Sequence, residues 1–566
     1  MADESKQQIP NVGGNGFIWI LLVAAGTYFV AHQIPLEGSR PPTKEKSVSE
    51  QADVQDIDAR LWQDPFAAVA EKLARSPELR AKDCPPRGSD AATGRDAAKA
   101  HCISPLDRSE ANDAFVLVAS VSAAPYSEDH EARRRTRYAV LAGLNAEGYV
   151  PVDPQHIGFY RPQAAQLPQF VPYEWFKLNP GRTSPPYGRI LLLWFDEDAL
   201  RESPLKQFAE LLCPSTPTPA RWAKARILGP QTSTALQAMV EEVKPVDPKD
   251  PSKGICPGKP RPQFYLSSAT ADDATLIPAY VAKLSATTPP HDPPCLDTDT
   301  CLSEFFEEKG VELHRMIATD KALAGAIRDE LSLRGIDNVK QSRRPSHIAL
   351  VSEWDTVYGR ALPATMARCL GFDRCQQANA AQPAWLHPYK YLRGLDGQLP
   401  DAGGASADNG SKDADSKQGN SAKNGSKARP DPTAQDRAEG QGQLDYLRRL
   451  GERIQQRDAD LQREGQGGIQ AVGVLGSDLY DKLLVLQALR PLLPNAWFFT
   501  TDLDALLLHP TSQKLTRNLL VASSFGLQLR PDIQGEIPPF RSSYQTAAFL
   551  ATRVAVHNGE VRAGLG

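Results

Sequence analysis

The sequence predicts an α/β protein made of two Rossmann-like lobes, each a parallel sheet with helices on both faces. Three observations predict it. A chain of 566 residues is too long for one hydrophobic core. From Ala114 onward, short apolar runs alternate with stretches of helical periodicity. That alternation pauses at Gly335 and begins again at Ser346, which divides it into two halves.

In the first half, Phe115–Val121 (FVLVASV) reads as a strand and Glu131–Leu144 as a helix with an Arg-rich first face. Arg133, Arg134 and Arg135 are read there as a solvated surface rather than an anion site. Strands follow at 189–195, 225–228 and 263–267, with helices at 204–212 and 233–243. Val311–Gly335 links the halves; its helix carries an apolar stripe at Leu323, Ile327 and Leu331 and stops at Gly335.

The second half opens with a buried strand at 347–351 and a helix at 358–370, where Tyr358, Ala361, Leu362, Thr365, Met366 and Leu370 fall at helical spacing. Between them lies the polar turn Ser352–Thr356, of the strand-to-helix kind at which open α/β sheets bind ligands. Further strands are predicted at 470–475, 496–500 and 518–523, and helices at 479–490 and 544–556. Asp396–Gln443 is rich in Gly, Ser, Asp, Lys and Asn, lacks apolar periodicity, and is expected to be a disordered surface insertion. Leu444–Arg463 reads as a charged, exposed helix, and the prolines of 245–262 and 289–294 as surface loops.

Ahead of the lobes, residues 1–16 form a short tail and residues 17–35 an apolar stretch with its centre at Phe17–Ala31. A membrane-spanning helix needs about 20 mostly apolar residues, which this stretch reaches with its flanks. An anchor is preferred to a cleaved signal peptide: Lys6 is offset by Asp3 and Glu4, and no small-x-small cleavage pattern precedes the end. Residues 36–110 are Pro-, Ala- and charge-rich and read as a stalk, with one short helix at Asp64–Ala74 whose Pro65 suits a first turn. Lobe 1 is then expected at 111–335 and lobe 2, mainly, at 336–566, with its C-terminal end read as incomplete.

A net charge of −4 and a pI near 6.3 give no electrostatic case for nucleic acid. The eight cysteines are Cys84, Cys102, Cys213, Cys256, Cys295, Cys301, Cys369 and Cys375. An even number with two close pairs suits an oxidising compartment, neighbour pairing being the simplest arrangement. CxxC pairs and Cys/His clusters are absent, so no zinc site or other cofactor is predicted.

Four stretches in order, ARILGPQTSTALQAMVEEV, QFYLSSATADDATL, HRMIATDKALAGAIRDEL and SHIALVSEWDTVYGR, resemble the type I periplasmic solute-binding family. That family includes branched-chain amino-acid binding proteins and receptor ligand-binding regions. The resemblance covers roughly residues 114–559 and implies a ligand held between lobes that close on it. It implies that Ser233 and Thr234 sit beside a ligand carboxylate at a helix N-terminus, where free N–H groups favour an anion. Ala269 and Thr270 would add backbone and hydroxyl contacts, Tyr358 would close from lobe 2, and Asp502 would take the ligand ammonium. Tyr480 would line the cleft wall. Each also has a plain structural reading: helix capping for Ser233, Thr234 and Asp502, a local turn for Thr270, and packing for Tyr358.

The family's Gly-rich first turn is replaced here by VASVSAAPYSEDHEARRR, so the first contact loop departs from the family pattern. The reading that follows is a protein of a bacterial inner membrane, single-pass, with its bulk in the periplasm. It would bind or sense a small ligand and signal to a membrane or periplasmic protein partner. One alternative is a ligand-free structural protein on the same fold. Another is a metal-dependent glycosyltransferase, since Asp502-x-Asp504 after an apolar strand resembles a diphosphate-metal pair. Nucleophile-elbow and P-loop patterns are absent.

Overall fold

The computed structural model describes residues 63–75, 104–107, 114–122, 127–162, 169–179, 187–200, 203–212, 225–243, 262–287, 294–339, 345–372, 375, 382–395 and 434–557. The predicted membrane span, most of the predicted stalk, residues 396–433 of the insertion, and the last residues lie outside them. No helix among the described residues is long and apolar enough to cross a membrane.

Lobe 1 contains β1 (Ala114–Val121), β2 (Tyr149–Pro151), β3 (Gly158–Tyr160), β4 (Val171–Leu178), β5 (Arg189–Asp196), β6 (Ala225–Leu228), β7 (Gln263–Leu266) and β8 (Glu312–Arg315). Their order is β2-β4-β5-β1-β6-β7-β8, with β3 also on β4. The run β5-β1-β6-β7-β8 is parallel throughout. β1, at its centre, is buried at every position, as a strand covered on both faces must be. Helices α1 (Pro65–Arg75), α2 (Ser127–Ala146), α3 (Pro204–Leu212) and α4 (Ser233–Val243) accompany it.

Lobe 2 repeats the plan. β9 (His347–Glu353), β10 (Leu386–Tyr391), β11 (Ile469–Leu475), β12 (Trp497–Thr501) and β13 (Leu519–Ala522) form an all-parallel sheet in the order β10-β9-β11-β12-β13. Its helices are α5 (Asp320–Leu333), α6 (Val357–Cys369), α7 (Ala434–Arg463) and α8 (Leu479–Leu489). In each parallel set the first strand stands between the second and the third. The strand order therefore reverses beside β1 and β9, and the crevice at such a switch point is where open α/β sheets hold ligands.

The chain passes between the lobes twice within the described residues. After β8 it enters lobe 2 through α5, whose Ala324, Ile327 and Leu331 join the core around Ile348 and Leu350. After β13 it returns through α9 (Ser543–Val556), whose Ala551, Ala555 and Val556 join the lobe 1 core around Phe115 and Leu117. The final helix of the second half is thus part of lobe 1.

Several expectations change. The antiparallel strands β2, β3 and β4 were not anticipated, because β4 carries Glu174 and Lys177 among its apolar residues. Glu174 is buried there and takes two hydrogen bonds from Arg137, at 3.0 and 2.8 Å, and one from Trp194 at 2.9 Å. The arginine run is no solvated face: Arg133 is buried and donates to Asp64 at 2.6 Å, and Arg135 reaches Glu131 and Asp504. The same Asp64 caps α1, so this piece of the predicted stalk docks on lobe 1. Helix α7 begins at Ala434, ten residues before its predicted start and inside the predicted insertion. It is also not exposed all round: Leu447, Leu450, Ile454 and Leu461 bury one stripe against the lobe 2 core.

The neighbour pairing of cysteines holds for both close pairs. Cys295–Cys301 and Cys369–Cys375 are disulfides with Cα atoms 4.8 and 4.1 Å apart. The other four cysteines lie outside the described residues.

Candidate functional site at the seam between the lobes

Each switch point carries a buried glutamate, and both glutamates are saturated by their surroundings. In lobe 1, Glu197 follows β5 and is 3 % exposed. It accepts from Ser120 Oγ at 2.8 Å, from the Gln231 N–H at 2.7 Å, from the Thr232 N–H at 2.8 Å and from the Thr232 hydroxyl. Thr232 in turn caps α4 by accepting from the Ala235 N–H at 3.1 Å. Burial raises the pKa of Glu197. In lobe 2, Glu353 accepts from the Ser477 N–H and hydroxyl, both at 2.9 Å, and from the Thr356 hydroxyl at 2.6 Å. Thr356 caps α6 through the Gly359 N–H at 2.8 Å. A Cβ on Gly359 would stand 2.2 Å from Glu353 Cγ, so this turn closes on itself. The polar turn Ser352–Thr356 is thus tied to its own helix and to Ser477 in the loop after β11.

The lobes meet instead along α6. Leu362, Met366 and Cys369 face their own sheet, whereas Ala361 joins the lobe 1 core. Thr365 and Arg368 stand on the same side as Ala361, one and two turns on. Arg368 donates to both oxygens of lobe 1 Asp272, at 2.8 and 2.7 Å, and the Thr365 hydroxyl also bonds Asp272. Asp273 beside it pairs with Arg315 at 2.5 Å.

One helical step away, charge is not balanced. Asp320, the first residue of α5, is fully buried, and neither of its carboxylate oxygens has a hydrogen-bond partner among the described residues. Burial pushes its pKa up to about 8, opposed by the facing Thr270 hydroxyl and reinforced by the negative charges of Asp272 and Asp502. Asp502 follows β12 with a φ of 66°, a left-handed conformation uncommon outside glycine and a feature that collects at functional sites. Its Oδ2 accepts from the Tyr358 hydroxyl at 3.0 Å, while its Oδ1 is buried and unpartnered. Tyr544, brought alongside where Ser543 N–H bonds the Leu503 carbonyl at 2.9 Å, faces Asp502 and Tyr358. Burial first, then the charge of Asp502, raises the pKa of both tyrosines far above the ordinary phenol value.

Of the residues named from sequence, Thr270, Tyr358 and Asp502 surround this spot, and Ala269 lies buried in the Thr270 turn. Ser233 is buried and its hydroxyl accepts from the Ala271 N–H at 3.3 Å; Thr234 is exposed. Ahead of the helix N-terminus expected beside them, Glu197 takes the Gln231 and Thr232 N–H groups and Thr232 takes that of Ala235. Tyr480 receives a hydrogen bond from Arg541 at 3.2 Å, in a second group that joins Glu131 and Arg135 of lobe 1 to Asp504 of lobe 2. Asp504 also caps the turn that follows it, through the Leu506 N–H at 2.8 Å. Asp502 and Asp504 thus serve different partners, and no group of three or more His, Cys, Asp or Glu among the described residues could hold a metal ion. Sequence reasoning missed Asp320 and Tyr544. The Asp320 signal was present, an Asp directly behind a helix-capping Thr319, but it reads as routine helix-start chemistry.

No family model matches the chain, and no curated protein matches it. Among solved structures, a substrate-binding protein of an ABC transporter from Desulfitobacterium hafniense in complex with Leu aligns at 12 % identity and a TM-score of 0.34. The alignment covers 79 % of this chain and 84 % of that one. An ABC-type branched-chain amino acid transporter protein from Rhodopseudomonas palustris aligns at 12 % identity and a TM-score of 0.35, over 78 % and 79 % of the two chains. An extracellular ligand-binding receptor from the same species gives 12 % identity and a TM-score of 0.30, over 79 % and 76 %. The overlap is loose; strand order and crossovers carry the fold.

Proposed function

We propose that this chain binds a small molecule between its two lobes and is read by a partner when the lobes close on it. The observation that carries this reading is Asp320. A fully buried carboxylate without a partner is costly, and a fold tolerates it where something else supplies the missing contact. Here it lies at the seam, beside an unpartnered oxygen of Asp502, the Thr270 hydroxyl and the half-buried Tyr358 and Tyr544. The motif resemblance in the sequence supports the same place by an independent route.

The remaining parts of the reading rest on sequence. The apolar stretch at 17–35 anchors the chain in a bacterial inner membrane, and the lobes face the periplasm. The disulfides Cys295–Cys301 and Cys369–Cys375 suit that compartment.

Thermal unfolding of the purified full chain against a metabolite panel tests the binding function. A ligand at about 100 times its dissociation constant stabilises by about 2.7 kcal/mol. That gain should disappear in Asp502→Asn. A ligand that stabilises wild type and Asp502→Asn equally would move the site elsewhere.

A further inference from the structure

We propose that the first two turns of α2 couple the seam between the lobes to α1, so that a shift of lobe 2 changes how firmly this stalk helix is docked. Two independent sets of contacts meet on that stretch of helix.

The first set holds α1. Ala68, Val69 and Leu73 bury its apolar face, and Lys72 donates to the Ile157 carbonyl at 2.7 Å. Its start is fixed by Asp64, whose side chain is fully buried. One oxygen of that carboxylate caps the helix through the Phe66 N–H at 2.9 Å. The other accepts from Arg133 Nε at 2.6 Å and lies 2.8 Å from His130 Nδ1. Arg133 also donates to the Ser122 carbonyl, just past β1, at 2.9 Å. A buried carboxylate parted from its cation is costly, so these contacts decide whether α1 stays in place.

The second set belongs to the seam. Glu131 and Arg135, interleaved with His130 and Arg133, pair with each other along the helix. Arg135 also reaches Asp504 of lobe 2 at 3.6 Å. Arg541, on the segment that returns to lobe 1, lies 3.8 Å from Glu131 and 3.7 Å from Asp504. Two acids and two arginines thus balance each other across the lobes. At these distances the three cross pairs are ion pairs without hydrogen bonds, and Arg541 is 39 % exposed. Such pairs are weak and screened by salt, so they yield when lobe 2 shifts, whereas the Asp64 contacts resist.

The two sets share one rigid stretch. Gln545 of α9 donates to the Arg135 carbonyl at 3.0 Å, which ties the same stretch to the returning chain. A displacement of Glu131 and Arg135 that follows Asp504 and Arg541 therefore alters the reach of His130 and Arg133 to Asp64. In sequence α1 stands between the lobes and the apolar stretch 17–35, which makes it the exit for such a movement.

Hydrogen exchange read by mass spectrometry on the full chain in detergent, without ligand, tests the coupling. Asp504→Asn keeps a side chain that can cap the turn at Leu506 but removes the charge facing Arg135 and Arg541. It should speed exchange of the α1 amides roughly two- to fivefold, as expected for a partly exposed ion pair, although its pairs are with α2 and the returning segment. Arg541→Gln, at the more exposed position, should do the same. Coupling is reciprocal, so Asp64→Asn should speed exchange of the Ala505 and Ser543 amides, which bond the Arg541 and Leu503 carbonyls. Leu450→Ala weakens lobe 2 within its own core and should leave α1 unchanged. Unchanged α1 exchange in both seam variants overturns the inference. An equal rise in Leu450→Ala overturns it too, by marking a general loss of stability. No ligand is used, so either failure leaves the binding function to its own test.

Discussion

Glu197 and Asp320 are both carboxylates buried in lobe-facing turns, yet they are treated in opposite ways. Glu197 receives four hydrogen bonds, from Ser120, from the Gln231 N–H and from the N–H and hydroxyl of Thr232. Asp320 receives none among the described residues. Burial raises the pKa of both. The difference teaches how to sort buried acids: one whose lone pairs are filled by its own fold holds a turn together, and one left empty is available to a visitor. Glu353, filled by Ser477 and Thr356, belongs with Glu197; Asp502, half filled by Tyr358, belongs with Asp320.

The comparison can be broken most forcefully at Arg368. Arg368→Met leaves Asp272 buried without its cation and should cost about 3–5 kcal/mol in urea unfolding, since an uncompensated buried charge is expensive. A loss under about 1 kcal/mol would mean that the Arg368–Asp272 pair does not hold the lobes together. Glu197→Ala comes next. It strands the Gln231 and Thr232 N–H groups, and a loss of about 3 kcal/mol is expected from the same measurement.

Asp320→Asn should go the other way and stabilise the ligand-free chain by roughly 2 kcal/mol at pH 8. Wild-type stability sharpens this point through its pH dependence. Folded Asp320 keeps its proton up to about pH 8, whereas its ordinary value is 3.8, so the folded state binds more protons between the two. Stability contributed by that proton is therefore full below about pH 4 and lost as pH rises toward 8. Asp272, Asp502, Tyr358, Tyr544, Thr270 and Arg315 are the groups that face it and set this window. The downward slope should be shallower in Asp320→Asn; an unchanged slope would assign it to Glu197 and Asp273, whose pKa values burial also raises. The smallest effect belongs to Tyr358→Phe, which removes one hydroxyl from Asp502 and Thr501 and should cost about 1 kcal/mol.

Much of the frame was readable in advance. The helices 204–212 and 233–243 and the strand 225–228 match their predicted bounds, because apolar period and turn chemistry agree there. The edge strands β2 to β4 escaped because their buried polar partners, Arg137 and Glu174, are supplied from different elements. Of the groups around Asp320, Tyr358, Thr270 and Asp502 were named from motif position, whereas Asp320 itself and Tyr544 belong to crossing segments whose neighbours are distant in sequence.

The sequence alone determined the local grammar: which runs are strands, where helices start, and that two α/β halves follow one another. Periodicity, caps and glycine stops act within a few residues, so a linear reading captures them. Only the tertiary structure decided which acids are satisfied. Hydrogen-bond saturation of Glu197 and its absence at Asp320 depend on groups far apart along the chain, and desolvation exists only once both lobes have packed around them.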